Sequence, residues 1–265
     1  MVKTVLMCRP TYFEVAYEIN AWMHVDNPVD VTLAKTQWQK LYDTYEKLGY
    51  EIQLIEPASG LPDMVFTANG GLFIEGKAML PKFKHPERQP ETAQFEAWFR
   101  ANGAKEICMP KNDFEGEGDC LYNGYAIFAG HGFRSSPKAA DELAEFFNKP
   151  VVSLRLVDPK FYHLDTAMCP IDSDTVMYYP AAFDAESRQK LVQHFPKQIE
   201  ASPSDSAAFG LNAVSDGGSI VMSAAAEGLI RRLKSEGYNP IGIDVSEFRK
   251  SGGGVKCCTL ELHHG

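Results

Sequence analysis

The chain has 265 residues, of which 45% are hydrophobic, and carries a formal net charge of −9 at pH 7. That length suits one large core or two ordinary domains. The acidic balance disfavours nucleic acid as a partner, because phosphate binding needs clustered Lys and Arg. No apolar run approaches the roughly 20 residues of a membrane-spanning helix. We therefore expect neither nucleic acid nor membrane as a partner, which leaves small polar or cationic ligands.

The cysteines and the first residues bear on compartment and metal content. Six cysteines, at positions 8, 108, 120, 169, 257 and 258, lack the C-x-x-C spacing of zinc or redox sites. The closing "LHHG" offers no metal-ligand spacing either. The apolar stretch in the opening "MVKTVLMCRP" is too short for a signal peptide. We expect reduced thiols in a cytoplasmic protein that needs no metal and no cofactor.

Five stretches have the period of an amphipathic helix. In the first, 32–50, Leu33, Trp38 and Leu41 lie on one stripe, and Gly49 suits a C-terminal cap. In the fourth, 184–195, Asp184 is a plausible N-cap. The remaining three are 90–103, 136–149 and 224–238. Helices therefore recur along the whole chain.

A strand-like run follows each helix, beginning at positions 51, 106, 151, 198 and 241. A polar or glycine-rich loop comes next, then more strand, with hairpin turns expected at Glu75-Gly76 and Ser173-Asp174. Such a unit repeated at about 45 residues is typical of a cyclic array. No Pro/Gly/Ser-rich linker interrupts it, so we expect one catalytic domain over 1–265. The alternative is an α/β sandwich whose even spacing is a coincidence.

In a cyclic array, equivalent loops converge near the axis, so residues distant in sequence can share a pocket. The loops are 61–71, 113–121, 161–169, 209–218 and 250–258. They carry a thiol, an imidazole and carboxylates, which together form a nucleophile–base set and a cation-binding set. Their polar residues are Asp63, Asn69, Glu115, Glu117, Asp119, His163, Asp165, Asn212, Cys257 and Cys258.

Two short stretches predict side-chain direction. His163 and Asp165 are two residues apart, so on a strand they project to the same face. In the predicted last strand, "VKCCTLEL", neighbours point to opposite faces, so Cys257 and Cys258 cannot share one role. One faces the axis and the other packs into the core. The alternative reading of the His-x-Asp pair is a partly buried histidine beside a solvated acid.

Four motifs point to a known family: "PDMVFTANGGL", "FEGEGD", "HLDT" and "SEFRKSGGGVKC". Together they resemble the guanidino-group-modifying enzymes of the pentein superfamily, over nearly the whole chain. That group includes arginine deiminases, dimethylarginine dimethylaminohydrolases and arginine dihydrolases. The resemblance implies an α/β fold, a five-bladed α/β propeller with pseudo-fivefold repetition, and a small-molecule guanidine as substrate. A homo-oligomer remains open.

The resemblance also implies catalytic roles. Cys257 would attack the guanidinium carbon and form a covalent thiouronium, with His163 as general acid and base. Glu115 and Asp165 would grip the guanidinium through charge-assisted hydrogen bonds. The acidic loop is one residue longer than the E-G-G-D pattern of the family, so Glu117 competes with Glu115 for its role.

Further residues are implied as substrate ligands. Arg88 and Arg134 would bind the substrate carboxylate, and Asp63 and Asn20 its amino-acid end. Asn212 is another substrate-binding candidate. Either arginine could instead form an ordinary surface ion pair.

Asn69 is the informative departure from the pattern, because deiminases and dimethylaminohydrolases have Asp there. A neutral amide holds a guanidinium less strongly but can hydrogen-bond a ureido group. With "YEINAWM" at 17–23, this resembles the arginine dihydrolase branch, which yields ornithine, carbon dioxide and two ammonia. The alternatives are an enzyme that stops at citrulline and, in another class, a catalytically silent relative that binds only proteins.

Overall fold

The computed structural model describes residues 3–264. Their strands are β1 (Thr4–Cys8), β2 (Glu51–Ile55), β3 (Leu72–Ile74), β4 (Lys77–Met79), β5 (Glu106–Cys108), β6 (Cys120–Tyr122), β7 (Ile127–His131), β8 (Val151–Arg155), β9 (Met168–Pro170), β10 (Thr175–Tyr178), β11 (Lys197–Glu200), β12 (Val214–Ser215), β13 (Ser219–Ser223), β14 (Asn239–Ile243) and β15 (Leu260–His263). Their helices are α1 (Val31–Lys47), α2 (Glu91–Ala101), α3 (Ala139–Phe147), α4 (Leu164–Ala167), α5 (Ala185–His194), α6 (Pro203–Ala207), α7 (Glu227–Ser235) and α8 (Ser246–Arg249).

The strands form units of three with one pairing pattern. In each unit the first strand is antiparallel to the second, and the second is parallel to the third. The units are β3-β4-β5, β6-β7-β8, β9-β10-β11, β12-β13-β14 and β15-β1-β2, so the last strand joins the first two. β15 also pairs with β3, which merges two units into one six-stranded sheet. The repeated unit expected from the sequence is therefore present.

Each parallel pair of strands is connected by one of the longer helices, as a parallel connection requires. These helices are α1, α2, α3, α5 and α7, and they fall on the five predicted stretches. Asp184 caps α5 by accepting from the Ser187 N–H at 2.8 Å. Gly49 has φ +80° just after α1, and Glu75-Gly76 turns the β3–β4 hairpin with φ values of 54° and 85°. These local predictions are confirmed.

Two local predictions are wrong. The last strand starts only at Leu260, so Cys257 and Cys258 lie in a turn, not on alternating faces of a strand. His163 and Asp165 are not on a strand either: His163 directly precedes α4 and Asp165 lies in its first turn. In both places the close approach of a glycine and the side-chain contacts between loops outweigh the strand propensity of the local sequence.

The loops that carry the chemistry all precede the first strand of a unit. They contain short helical turns at Pro62–Val65, Thr67–Gly70 and Gly116–Gly118, together with α4, α6 and α8. Among the described residues, no helix has both the length and the apolar character needed to cross a bilayer. The repeated units thus present their loops from equivalent positions, and the site is built from those loops.

Candidate active site

Cys257 lies at the centre of a buried polar cluster and is 2% exposed. Its Sγ is 3.1 Å from Asp165 Oδ2 and accepts from Asn212 Nδ2 at 3.0 Å. The Cys257 N–H donates to Asn212 Oδ1 at 3.1 Å, so one amide holds both the backbone and the sulfur. Asn212, predicted to bind substrate, is therefore placed against the cysteine. A Cβ on Gly254 would lie 2.7 Å from that Asn212 oxygen, which explains the need for glycine there.

Cys258 has different surroundings. Its side chain is fully buried in the same apolar cluster as Trp38 and Tyr45. Burial raises the pKa of Cys258 well above its ordinary value. Cys257 belongs to the same apolar cluster, and its contacts with Asp165 and Asn212 distinguish it from Cys258, although the strand geometry predicted for the two is wrong.

His163 and Glu115 form the second half of the cluster. The His163 Nε2 lies 2.7 Å from Glu115 Oε2, and Arg134 Nη1 donates to the same carboxylate oxygen at 2.8 Å. Burial by itself would raise the pKa of Glu115, but Arg134 and His163 outweigh it and hold the pKa below its ordinary value. Glu115 is therefore a carboxylate that orients the imidazole through one ring nitrogen.

The structure separates the two competing acids. Glu117 points away from His163 and accepts from Lys256 Nζ at 2.7 Å and from the Glu261 N–H at 2.8 Å. Asp119 also has backbone partners, the N–H groups of Leu164 and Ser135, at 3.1 Å each. Of the three acids in this loop, Glu115 is the one bonded to the imidazole.

Asn69 and Arg88 face each other across 2.8 Å, from Nη1 to Oδ1. The Asn69 amide nitrogen donates to the Glu115 carbonyl at 3.2 Å. Arg88 also donates to both carboxylate oxygens of Glu91, at 2.9 and 2.8 Å, and to the Asp63 carbonyl at 3.2 Å. Four of the five N–H donors of the Arg88 guanidinium are thus engaged. The Nε and Nη2 groups, which were expected to bind substrate as a pair, donate to Glu91 instead.

Residues 17–23 cover the cluster. Tyr17 donates to Asp63 Oδ2 at 2.9 Å, and Arg134 Nη2 donates to the Ile19 carbonyl at 2.9 Å. Asn20 donates to the Ser251 carbonyl at 3.1 Å, and the Trp22 indole donates to the Lys160 carbonyl at 2.8 Å. Asn20, Asp63 and Arg134, which were predicted to bind substrate, are therefore brought together at this segment.

The electrostatics of the closed site favour a protonated cysteine. Burial, and then the neighbouring Asp165, raise the pKa of Cys257 well above its ordinary value. Burial also raises the pKa of Asp165 to about 6, although His163 opposes the shift. His163 Nδ1 and Asp165 Oδ1 are buried without a hydrogen-bond partner among residues 3–264. Such orphaned atoms mark where a ligand would bond, and a cationic ligand would favour the thiolate.

Three contributors to this site were absent from the sequence-based candidates: Glu91, Gly118 and Lys256. Glu91 follows Arg88 by three residues, a spacing at which the turn before α2 allows an ion pair. A Cβ on Gly118 would lie 2.2 Å from Asn69 Nδ2 and 3.2 Å from His163 Nδ1, and no sequence pattern reveals that. In the described part of the chain no group of three His, Cys, Asp or Glu side chains could hold a metal ion.

A buried thiol held between a carboxylate and an amide, together with an imidazole held by a second carboxylate, is the arrangement expected of a cysteine-nucleophile site. The family profile described as "N,N dimethylarginine dimethylhydrolase, eukaryotic" matches residues 9–264. The chain therefore belongs to this dimethylarginine dimethylaminohydrolase family of the pentein superfamily. The superfamily predicted from the motifs is confirmed.

Curated relatives carry two kinds of description. The N(G),N(G)-dimethylarginine dimethylaminohydrolase of Mycobacterium tuberculosis is 47% identical, covering 97% of this chain and 85% of that protein. The bifunctional arginine dihydrolase/ornithine cyclodeaminase ArgZ of Synechocystis is 39% identical over 97% of this chain. The chain spans only 37% of the length of ArgZ.

Solved structures agree on the fold. The N-terminal domain of ArgZ, an arginine dihydrolase, bound to product has a TM-score of 0.95 at 37% identity, covering 100% of this chain and 98% of that one. A variant of that domain covalently bound to a reaction intermediate has a TM-score of 0.94, covering 99% and 98% of the two chains. A dimethylarginine dimethylaminohydrolase adduct, 20% identical, shares the fold with a TM-score of 0.81 over 98% of this chain and 100% of the other.

Proposed function

We propose that residues 1–265 form one catalytic domain, a cofactor-free hydrolase of free arginine that forms ornithine, carbon dioxide and two ammonia. The observation that carries the proposal is the amide of Asn69, whose oxygen accepts from Arg88 and whose nitrogen faces the Glu115 carbonyl. The likeness to the ArgZ domain supports it. The five repeated three-stranded units, together with that likeness, support a five-bladed α/β propeller.

The first half-reaction uses Cys257 and His163. The Cys257 thiolate bonds to the guanidinium carbon, and the bond from that carbon to a terminal nitrogen breaks. His163 gives that nitrogen a proton at Nδ1, since Nε2 is held by Glu115, and ammonia leaves. A water that loses a proton to His163 then attacks the thiouronium carbon. The carbon–sulfur bond breaks, and citrulline forms while the thiolate returns.

The second half-reaction acts on the ureido carbon of citrulline. Cys257 attacks again, the bond from the carbon to its NH2 nitrogen breaks, His163 gives that nitrogen a proton, and ammonia leaves, so that a thiocarbamate remains on sulfur. Water releases a carbamate of ornithine, which loses carbon dioxide. Here the substrate carries a carbonyl oxygen that gains negative charge during attack, so a hydrogen-bond donor stabilises it. The NH2 group of Asn69 is a donor of this kind, whereas an Asp would repel the developing charge.

Substrate binding follows from the charges around the cover. Asp165, with its unpartnered Oδ1, can accept from a guanidinium, and Glu115 adds negative charge while its Oε2 is held by His163 and Arg134. Arg134 and the remaining N–H of Arg88 favour a carboxylate, and Asp63 and Asn20 favour an amine. This pattern suits a free amino acid better than agmatine, which has no carboxylate.

A second candidate is hydrolysis of dimethylarginine to citrulline and dimethylamine. The 47% identity to the relative from Mycobacterium tuberculosis favours it. It uses the first half-reaction only, with dimethylamine as the leaving group. This reaction gives no catalytic role to the buried amide of Asn69 in place of a carboxylate. We therefore place dimethylarginine hydrolysis second.

The test offers arginine and asymmetric dimethylarginine separately to the pure protein. Citrulline, ornithine, ammonia and dimethylamine are quantified. Ornithine with two ammonia per arginine consumed supports the dihydrolase. Citrulline that accumulates with one ammonia contradicts it, and dimethylamine formed from dimethylarginine without turnover of arginine assigns the second function.

A further inference from the structure

Glu91 is fully buried on the first turn of α2, and its carboxylate spends both oxygens on Arg88. A buried ion pair of this geometry fixes the plane of the guanidinium, because two parallel N–H···O bonds leave it no rotation. Burying two charges costs desolvation free energy, so the ion pair by itself does not show that the protein is stabilised. The consequence of interest is therefore what the fixed guanidinium does on its other side.

On that other side, Arg88 Nη1 donates to Asn69 Oδ1. A guanidinium has only donors and a backbone carbonyl has only lone pairs. The Asn69 oxygen must therefore face Arg88, and its NH2 group must face the Glu115 carbonyl. The orientation of the amide is dictated by its two neighbours, and the reverse orientation would set donor against donor and acceptor against acceptor.

The NH2 group also lies next to the imidazole. Gly118 separates them, and a Cβ there would be 2.2 Å from Asn69 Nδ2 and 3.2 Å from His163 Nδ1. His163 Nδ1 is the ring nitrogen left without a partner among residues 3–264. The donor of Asn69 is thus presented on the side of the site where His163 has its free nitrogen.

We propose that Glu91 is a positioning residue for the second half-reaction: by clamping Arg88, it holds the Asn69 amide with its NH2 group toward the reacting centre. The proposal rests on the proposed dihydrolase function. A guanidinium offers Asn69 nothing but donors, so the NH2 group does not serve the first half-reaction. A ureido oxygen accepts from it and gains charge during attack, so the second half-reaction depends on this orientation.

The experiment replaces Glu91 by Gln, which keeps the size of the side chain but turns one acceptor into a donor against Arg88. We expect arginine consumption to continue, with a raised KM. The ratio of ornithine to citrulline should fall about tenfold, since a misoriented donor loses part of the 10²–10³ that one such donor supplies. A merely structural role would slow both products together and leave the ratio unchanged.

Two further variants make the result decisive. Glu91→Asp keeps the charge but is too short to hold both Arg88 bonds, so it should also lower the ratio of ornithine to citrulline. It replaces Glu91→Gln as the test if that variant folds poorly. Glu96→Gln on the same helix breaks an exposed pair with Arg100 and should leave the ratio as in the wild type. An unchanged ratio in folded Glu91 variants overturns the inference alone. A wild-type protein that stops at citrulline overturns the proposed function and the inference with it.

Discussion

The Lys256 ammonium lies 2.7 Å from the Glu117 carboxylate, and this buried contact joins the loop of the cysteine to the loop of the acid that orients the imidazole. Lys256 directly precedes Cys257, and Glu117 follows Glu115 by two residues. Lys256 also donates to Glu261 at 2.8 Å, so one cation neutralises two carboxylates. The contact thereby fixes the positions of two loops from different units relative to each other.

Replacing Lys256 by Met should destabilise the protein strongly, because Glu117 and Glu261 lose the buried cation they share and keep only His263 at 3.2 Å and the half-exposed Lys3 at 3.7 Å. Losing one partner of a buried pair costs about 3–5 kcal/mol. In a chain of this size that lowers Tm by about 10 °C, which a thermal melt would detect. Arg231→Met is the matched control, since it breaks a pair in which both side chains are over 70% exposed and should cost no more than about 0.5 kcal/mol.

Adding Glu117→Gln to Lys256→Met should recover part of the lost stability, because one of the two charges that lost this cation is removed. If Lys256→Met melts like Arg231→Met, the contact does not hold the loops together. Recovery of stability without recovery of turnover would show that the pair also aligns Cys257 with His163.

Gly118→Ala should abolish most turnover while the protein stays folded. The added methyl would lie 2.2 Å from Asn69 Nδ2 and 3.2 Å from His163 Nδ1, so the amide must move and the imidazole that serves both half-reactions is crowded. A displacement of about 1 Å at a reacting centre can cost about 10²-fold in rate. Gly218→Ala is the control, because its methyl meets nothing closer than Asp216 Oδ1 at 3.6 Å. Equal activities of the two variants would show that neither Asn69 nor His163 needs its present position for turnover.

The repeated unit was predictable because it depends on local periodicity. The stripe of α1, the cap at Asp184 and the Glu75-Gly76 turn are set by residues close in sequence, and the structure confirms each of them. The turn at Cys257 was not predictable, since it depends on an amide 45 residues away in sequence. Local strand propensity around the two cysteines loses to that long-range contact and to the close approach at Gly254.

The loops that meet at the candidate site were predictable, but the arrangement of their side chains was not. Loops at one phase of the repeat do bring Cys257, Asp165 and Asn212 together. Which partner each charge takes depends on packing between loops. The pattern around Arg88 shows the Glu91 spacing, yet nothing in it reveals that the opposite edge of Arg88 would fix Asn69.

The two cysteines should respond differently to the same substitution. Cys257→Ser should abolish turnover, because a hydroxyl is a far weaker nucleophile than a thiolate. Cys258→Ser should keep turnover but lower stability by about 1–3 kcal/mol, since a hydroxyl is placed in an apolar cluster. Arginine consumption and a thermal melt measure the two effects, and the reverse pattern would assign the nucleophile to Cys258.

Labelling should distinguish a cysteine that needs a cation from one that is already ionised. The pKa of Cys257 is raised by burial and by Asp165, so neutral chloroacetamide should react slowly at neutral pH. Chloroacetamidine has nearly the same shape but carries a positive charge that favours the thiolate, and it should react at least tenfold faster. Equal rates for the two reagents would contradict a role for substrate charge, and Cys257→Ser should abolish labelling at this position.

Protonation of Asp165 should lower the activity at acid pH. Its pKa is raised by burial to about 6, and the protonated form cannot pair with a guanidinium. The kcat/KM for arginine should therefore fall as pH drops through about 6 in the free enzyme. A profile flat from pH 7.5 to 5 would exclude Asp165 as a guanidinium ligand.

The same group links stability to pH with the opposite sign. A pKa raised from 3.8 to about 6 means that the folded state binds the proton more tightly than the unfolded state. Its contribution is fully present below about pH 4 and is lost as pH rises through about 6, a change of about 3 kcal/mol. Asp165→Asn carries no charge, so its Tm relative to the wild type should be higher at pH 7.5 than at pH 5. Asp26→Asn, on the surface, should show no such difference. A relative Tm of Asp165→Asn that is independent of pH would contradict a raised pKa of Asp165 that falls within this range.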